Sequence, residues 1–471
     1  VADRVRGAGA RLTFDAASLA EAVAGRIVRD SRLPIRGGAV DSRRVEPGNI
    51  FFALPGERTD GHRFLDEATR RGAAALVVTR VPSNGELDAL EAPGSAVGSP
   101  TVIAVTNAGE ALRRAAEAWR DRFDALIIGV TGSIAKTSTK EQIAELLSER
   151  WPVLRNLANE NNEIGLPLTL LRLMPEHRAA VLEMGMYTPG DIRALAKLAK
   201  PTIGVVTAVR STHLARAGSI EAIERGKREL VEAIPPGGTA VLNADDARVA
   251  AMAGHVTHGA RVMRYGFDPA ADVSATEIES LGDRGMRFLL RVPDGRREAA
   301  IRALGRHSVH NALAGAAVGV AMGLGLATIV RGLARPFSVP HRTTLVPAGQ
   351  WRLLDDTYNA APDSMIAALD LLASLPGRHV AVLGEMLELG EQSTAAHVAV
   401  GAHAARSSDL LVAVGPEAAT YATAARAGGM AGSAIATAAD RDEALALLLG
   451  LLQPGDVVLL KASRGAALDL L

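Results

Sequence analysis

The sequence predicts an α/β protein built on doubly wound parallel sheets, and two observations carry that prediction. Short β-branched runs (ALIIGV, RAAVLEM, TIGVVTAV, GTAVLNA, HVAVLGEM, DLLVAVG, DVVLLKA) alternate with Ala- and Leu-rich helical stretches along most of the chain. Continuous apolar strands separated by amphipathic helices describe parallel sheets covered on both faces. The second observation is compositional. Of 471 residues, 48% are hydrophobic but only 3% are aromatic, enough to fill several mostly aliphatic cores. A chain of that length divides into about three domains.

Charge and residue usage remove whole classes of function. The 52 basic and 52 acidic residues cancel, so nothing global favours nucleic acid or an anionic membrane, and an anion must be met by a local site. With no cysteine, disulfides, thiolate zinc sites and cysteine nucleophiles are excluded, in keeping with a reducing compartment. The opening VADRVRGAGARLTFDAASLAEAV is charged and lacks the apolar run of a signal peptide. Residues 311–330, NALAGAAVGVAMGLGLATIV, carry no charge over a span-length window, yet Gly323 and Gly325 weaken any single helix there. The expectation is a buried helix, a turn and a second helix, in a soluble, cytoplasmic protein.

In chain order, the Gly/Pro/Ser-rich residues 81–100 precede the strand-like TVIAV and read as a loop inside a first domain. A boundary is expected near residue 120, before ALIIGV, and another at ARPFSVPHR, where prolines interrupt the helical pattern. The expected domains are therefore 1–120, 121–337 and 338–471.

After ALIIGV comes TGSIAKTSTKE. Against the phosphate-loop pattern G-x-x-x-x-G-K-[ST], both glycine positions fail, holding Val130 and Ala135. The physical needs are still met: convergent backbone N–H groups, an ammonium, a hydroxyl for Mg2+ and a helix N-terminus beneath. Gly132 and Ser133 make the turn, Lys136 brings the charge and Thr137 the hydroxyl. Ile143, Leu146 and Leu147 then give the following helix an apolar face. A left-handed alanine at 135 costs about 1 kcal/mol, and helical torsions there would cost nothing. The alternative is an ordinary strand-to-helix turn with a solvated lysine.

The neighbouring segments favour the phosphate loop. NLANENNEIGLPLT, residues 156–169, concentrates four asparagines and two glutamates ahead of a Gly and a Pro. VLEMGMYTPGDI puts Glu183 at a strand end. VVTAVRSTHLARAGSIEAIERGKREL puts His213 past another strand and Lys227 on the next helix. Ligands of open α/β sheets bind at the carboxyl ends of strands, and the Lys136 loop, Glu183 and His213 share that edge in this reading. Glu183 suits a hard-oxygen Mg2+ site.

Together these segments resemble the Mur ligase family, the ATP-dependent amide-bond-forming enzymes of peptidoglycan precursor synthesis. The resemblance runs nearly end to end. DSRRVEPGNIFFALPGERTDGHRF, residues 41–64, is similar to a uridine-nucleotide-sugar-binding signature. The centre carries GSIAKTSTKE, NENNEIGLPLTLL, LEMGMYTPGDI, the His213–Lys227 stretch and GRHSVHNALAGAA. The last third carries HR at 341–342, DDTYNAAPDSM, LGEMLELGEQS and KASRG. DDTYNA with LGEMLELG resembles the branch that joins D-alanyl-D-alanine to UDP-N-acetylmuramoyl-tripeptide. Folate polyglutamate ligases share the central machinery but lack the first-domain signature. Ala135 and Ala462 each replace a glycine usual in the family, RSTHLARAGS is a variant of the usual His-containing loop, and a short tail after KASRGAALDLL is expected to be absent.

The resemblance implies an N-terminal α/β UDP-sugar-binding domain, a central P-loop doubly wound parallel sheet and a C-terminal Rossmann-like domain. It implies that a substrate carboxylate attacks the γ-phosphate of ATP, giving ADP and an acyl phosphate from which an amine displaces phosphate. By the same resemblance Gly132, Ser133, Ile134, Ala135, Lys136, Thr137 and Ser138 form the ATP loop, with Lys136 on the β/γ-phosphates. Thr137 and Glu183 hold Mg2+; His213 and an N-carboxylated Lys227 hold a second. Asn311 and Asn359 match positions that read adenine, while Arg342 and Asp356 reach the γ-phosphate and ribose. Ser42 and Arg43 meet uracil or phosphate, and Lys461, Ser463 and Arg464 the dipeptide carboxylate. The implied partners are those two small-molecule substrates, with no nucleic acid, no membrane and a monomeric chain.

Blander readings stand beside these. Glu183 is then a strand-end surface carboxylate, His213 a satisfied loop histidine, Asn311 a helix cap and Lys227 a plain surface lysine, as Lys140 is. Lys461 and Arg464 form a solvated basic cluster, and Ser42 and Arg43 cap a turn. Two alternatives concern the whole chain: a non-catalytic relative that binds UDP-sugar as a scaffold, and a P-loop kinase or hydrolase of another family.

Overall fold

A computed structural model describes residues 13–56, 59–90, 99–210 and 218–471. His213 lies outside them. The chain divides into two compact units, one made of residues 1–129, 151–185 and 191–201, the other of 130–150, 186–190 and 202–471. Their strands form three sheets.

The first sheet belongs wholly to the first unit. Its strands are β1 (Arg26–Arg29), β2 (Gly38–Ala39), β3 (Ile50–Phe52), β4 (Ala75–Val78) and β5 (Thr101–Ala104), in spatial order β1-β5-β4-β3-β2. Only β1 runs antiparallel to its neighbour. The apolar runs IFF and ALVV are wholly buried, as strands covered on both faces must be. The helix Ala108–Arg120, capped by Asn107, buries Ala111, Leu112, Ala115, Ala116 and Trp119, and the Trp119 indole N–H donates to Leu173 O at 3.0 Å. The expected loop before β5 includes a short helix, Asn84–Ala89, started by a Ser83–Glu86 capping box.

The second sheet has nine strands. In the first unit β7 (Val153–Arg155) pairs in parallel with β8 (Ala179–Glu183). The division between the units falls within β6 (Leu126–Thr131). In the second unit β9 (Ile203–Val206), β10 (Thr239–Asn243), β11 (Arg261–Gly266) and β12 (Val273–Ser280) pair successively in parallel. β13 (Met286–Val292) and β14 (Gly295–Ile301) then add an antiparallel hairpin. Residues of β13 alternate buried with exposed or half-exposed, so this meander shows the period-2 pattern of a half-solvated sheet rather than an apolar run.

The third sheet, in the second unit, has the order β15-β16-β20-β17-β18-β19. Its strands are β15 (Thr344–Ala348), β16 (Trp351–Asp355), β17 (His379–Leu383), β18 (Leu410–Val414), β19 (Ile435–Ala438) and β20 (Val457–Lys461). All neighbours are parallel except β15–β16. One face packs Leu354, Leu369, Leu372, Leu383, Val400 and Leu459, the other Val380, Val382, Val412, Leu448 and Val458. Both faces are covered with aliphatic side chains, which is the doubly wound arrangement the composition predicts.

The uncharged stretch 311–330 resolves as expected. A helix Arg306–Ala321 ends near Gly323, whose φ of +75° makes the turn into the helix Leu326–Leu333. Among the described residues no helix is long and apolar enough to cross a membrane.

Candidate functional site

The phosphate-loop candidate lies in the second unit. β6 ends at Thr131, and Gly132 follows with φ +152° in so close an approach that a Cβ there would overlap Thr207 Oγ1. Thr207, just past β9, donates its hydroxyl to Ile134 O at 2.6 Å and its N–H to Thr131 O at 2.9 Å. Ser133 is laced to the same segment. Its N–H donates to Ala208 O at 2.8 Å, and its hydroxyl donates to Arg210 O at 3.0 Å while accepting the Arg210 N–H at 2.9 Å. The loop is thus held in shape by the chain leaving β9, and Ser133 does part of that holding.

Ala135 caps the helix Lys136–Ser148 with φ +64° and ψ 0°, and its side chain supplies no capping hydrogen bond. The position where glycine is usual is left-handed here, so the alanine bears the cost of about 1 kcal/mol. We expect Ala135→Gly to stabilise the protein by about that amount in a denaturant titration. Turnover should change only modestly, since no charge is touched. A thousandfold gain, equivalent to about 4 kcal/mol of barrier, would mean that the natural loop is crippled.

The helix buries Ile143, Leu146 and Leu147, as its periodicity predicts. It packs along the helix Arg306–Ala321, where Asn311 is buried and its Oδ1 accepts the Thr139 hydroxyl at 3.0 Å. Asn311 therefore lies within a helix and caps nothing. Lys140, read as a surface lysine, is instead fully buried and paired with Glu141 at 2.8 Å.

Lys136 begins the helix, and its ammonium donates to Ser133 O at 3.3 Å. Lys227, on the helix Ile220–Glu232, is only 4% exposed. Burial, reinforced by the positive charge of Lys136, holds its amine well below the usual lysine range. That burial overturns its reading as a surface lysine, and among the described residues no carboxylate pairs with it.

A second group in the same unit gathers at the β16 and β20 ends. Lys461 is buried and donates to Asp356 Oδ2 at 2.5 Å and to Asn359 O at 3.0 Å. Asp356 also accepts the Thr343 N–H at 3.0 Å. The Arg342 guanidinium stacks 4.0 Å from the Tyr358 ring centroid, and its Nε is buried without a hydrogen-bond partner. Arg464, exposed, lies 5.7 Å over the same ring. The Ser463 hydroxyl accepts the Leu387 N–H at 2.9 Å. Lys461 is accordingly no solvated cation.

Ala462, the other replaced glycine, is wholly buried. Tyr358 is a functional candidate that sequence reasoning missed, although it stands inside the DDTYNA stretch. Arg210 is another: it pairs with Asp363 at 2.5 Å and with the buried Asp246.

The first unit holds the remaining predicted residues. Ser42 and Arg43 lie on the short turn Ser42–Arg44. The Ser42 hydroxyl donates to Glu67 Oε2 at 2.6 Å, while the exposed Arg43 guanidinium grips Asp41 at 3.0 and 2.7 Å. Glu183 ends β8 and is buried, so it is no surface carboxylate. Its Oε1 accepts Asn161 Nδ2 at 2.7 Å. Asn156, itself fully buried, accepts the Glu183 N–H at 2.9 Å and donates to its C=O at 3.1 Å. The polar density of the asparagine-rich stretch is thereby explained.

Among the described residues no group of three or more His, Asp or Glu side chains forms a ready metal site. The Thr137 hydroxyl in the second unit and the Glu183 carboxylate in the first are each hard oxygen donors, of the kind Mg2+ takes.

Residues 34–120, 130–319 and 341–464 match the models described as Mur ligase family, catalytic domain; Mur ligase middle domain; and Mur ligase, glutamate ligase domain. The UDP-N-acetylmuramoyl-tripeptide–D-alanyl-D-alanine ligase of Mycobacterium tuberculosis is 38% identical over 462 residues, covering 91% of this chain and 89% of its own. The crystal structure of MurF from Acinetobacter baumannii superposes with a TM-score of 0.85 at 30% identity, covering 97% of each chain. MurF ligase from Thermotoga maritima in complex with ADP superposes at 0.77 with 28% identity, covering 92% of this chain and 95% of its own.

Proposed function

The chain belongs to the Mur ligase family, and from that premise we infer that it is an ATP-dependent ligase joining D-alanyl-D-alanine to UDP-N-acetylmuramoyl-tripeptide in peptidoglycan precursor synthesis. The carrying observation is 38% identity across 91% of the chain to a ligase of that name. DDTYNA and LGEMLELG agree with it. Residues 1–120 are assigned to the sugar nucleotide, 121–337 to ATP and 338–471 to the final part of the site, in a monomer acting in the cytoplasm.

The first chemical step brings together two anions, a carboxylate and a triphosphate, so the protein's work is positioning and charge neutralisation. In this reading the backbone of Gly132–Thr137 cradles phosphate and the Lys136 ammonium meets the β/γ-phosphates. Thr137 and Glu183 are the residues that would hold Mg2+, with His213 and an N-carboxylated Lys227 for a second ion. Mg2+, when bound, supplies neutralisation of phosphate charge. Asn311 and Asn359 are assigned to adenine, Arg342 and Asp356 to the γ-phosphate and ribose. The unpartnered buried Nε of Arg342 supports a ligand there, because a guanidinium N–H left unmet in the interior is costly. Ser42 and Arg43 are assigned to the sugar nucleotide; Lys461, Ser463 and Arg464 are assigned to the dipeptide side, with Lys461 acting through Asp356 and Asn359.

The scaffold alternative drew its support from the altered loop. That loop keeps its left-handed torsion at 135, its ammonium and its hydroxyl, so the alteration removes no reacting group. ADP release decides between the readings. We expect steady ADP accumulation only when both UDP-N-acetylmuramoyl-tripeptide and D-alanyl-D-alanine are present. Equal turnover with free D-alanine or with a folate substrate would reject the assignment, and ADP release without amide formation would revive a kinase or hydrolase.

A further inference from the structure

One charged cluster of the first unit, centred on a buried carboxylate, takes no part in the chemistry above. Glu160 sits in the asparagine-rich stretch, with its carboxylate between two arginines. Oε1 accepts Arg44 Nη2 at 2.9 Å; Oε2 accepts Arg172 Nη2 at 2.7 Å and Thr169 Oγ1 at 3.2 Å. Burial alone would push this carboxyl up, but Arg172 and then Arg44 more than offset it and hold it below the usual glutamate range. The backbone of Glu160 is equally fixed. Its C=O accepts Asn156 Nδ2 at 2.8 Å, and Gly165 lies so near that a Cβ there would overlap Glu160 Cα.

The two ends of this cluster are the informative part. At one end Arg44 closes the turn that carries Ser42 and Arg43. At the other, the Asn156 amide that binds Glu160 O also holds both main-chain groups of Glu183, and Asn161, the residue after Glu160, holds the Glu183 carboxylate. Arg44 and Glu183 are thus joined through one side-chain ion pair and one bifurcated amide. A ligand that pulls on the Ser42–Arg44 turn acts on the segment that sets the Glu183 peptide.

We propose that Glu160 is a positioning residue that couples the Ser42–Arg44 turn to Glu183, so that sugar-nucleotide binding and Mg2+–nucleotide binding strengthen one another. The proposal rests on the assignment of Ser42 and Arg43 to the sugar nucleotide and of Glu183 to Mg2+. Coupling of this kind is reciprocal by thermodynamic necessity, and a factor of about five to ten lies at the low end of its usual range.

The test is equilibrium binding, read by calorimetry on the full chain. Mg2+ with a non-hydrolysable ATP analogue is titrated with and without UDP-N-acetylmuramoyl-tripeptide. In the wild type, the sugar nucleotide should tighten analogue binding about five- to tenfold. In Arg44→Ala and Glu160→Gln, that factor should fall to about one, while each ligand alone binds nearly as in the wild type. An undiminished factor in both variants, no tightening in the wild type, or loss of each single affinity along with the coupling would overturn the proposal. Arg44 is largely exposed, so its variant decides the matter if Glu160→Gln fails to fold. Glu183→Ala separates the premises: analogue binding with unchanged Mg2+ dependence in that variant would refute the metal assignment, whatever the coupling does.

Discussion

Lys136→Ala should form ADP at less than about a thousandth of the wild-type rate, a loss of about 4 kcal/mol or more in transition-state stabilisation. The magnitude follows from the charge balance of the step. An anionic nucleophile approaches an anionic phosphate, and the ammonium at the loop–helix junction is the side-chain cation placed there by the loop's own geometry. Alanine is an excellent helix former at that position, so the fold should survive. Binding of UDP-N-acetylmuramoyl-tripeptide should survive too, since Ser42 and Arg43, the residues we assign to it, belong to the other unit. A coupled ADP assay and a binding titration check the two halves separately. Retention of even a tenth of wild-type turnover would sink the phosphate-loop assignment.

The second large effect concerns Lys227. An ammonium repels a divalent cation, but a neutral amine can add CO2 with loss of a proton and become an anionic oxygen ligand suited to Mg2+. Burial and the charge of Lys136 favour the neutral amine. Lys227→Ala should therefore lose more than about a hundredfold in turnover, and acetate or formate in solution should restore part of it. Full activity in the variant would defeat the carbamate. So would a plain ammonium in a well-resolved structure with Mg2+, nucleotide and bicarbonate.

The same burial has a stability signature. The folded-state pKa lies below the unfolded value of 10.5, so the unfolded chain binds the proton more readily between the two. Stability from this group is present above the unfolded pKa and falls as pH drops toward the folded one. Lys227→Met should accordingly melt higher than the wild type at neutral pH in CO2-free buffer. A lower melting point there would show that the amine is not a destabilising charge.

What the sequence disclosed tracks what kind of burial each residue meets. The runs TIGVVTAV, DLLVAVG and DVVLLKA read correctly as parallel strands because both faces of their sheets are covered, and an uninterrupted apolar run is the direct imprint of that. The β13–β14 hairpin left no such run. One side of it faces solvent, so its signature is an alternation rather than a run. The placement of Lys136 and Thr137 at a helix start and of Glu183 at a strand end was legible because it follows from local pattern alone.

Burial of lysine was not legible. Lys140 is satisfied by the adjacent Glu141, and Lys461 by Asp356, far away in sequence. Neither partner is announced by spacing. The cap reading of Asn311 fails because the helix already begins at Arg306, five residues earlier, and the Asn311 side chain meets the Thr139 hydroxyl, a partner far away in sequence.

The phosphate loop separates two kinds of demand that a letter pattern treats as one. At Gly132 the demand is clearance: the Thr207 hydroxyl occupies the space a Cβ would need, and turning it away would forfeit its hydrogen bond to Ile134 O. At Ala135 the demand is torsional, and a torsional penalty is graded. In a saturation library selected for growth, position 132 should collapse to a single residue, while position 135 should rank glycine, asparagine and alanine above the β-branched types. Sequence drift is then channelled: descendants wander at 135 and stay frozen at 132.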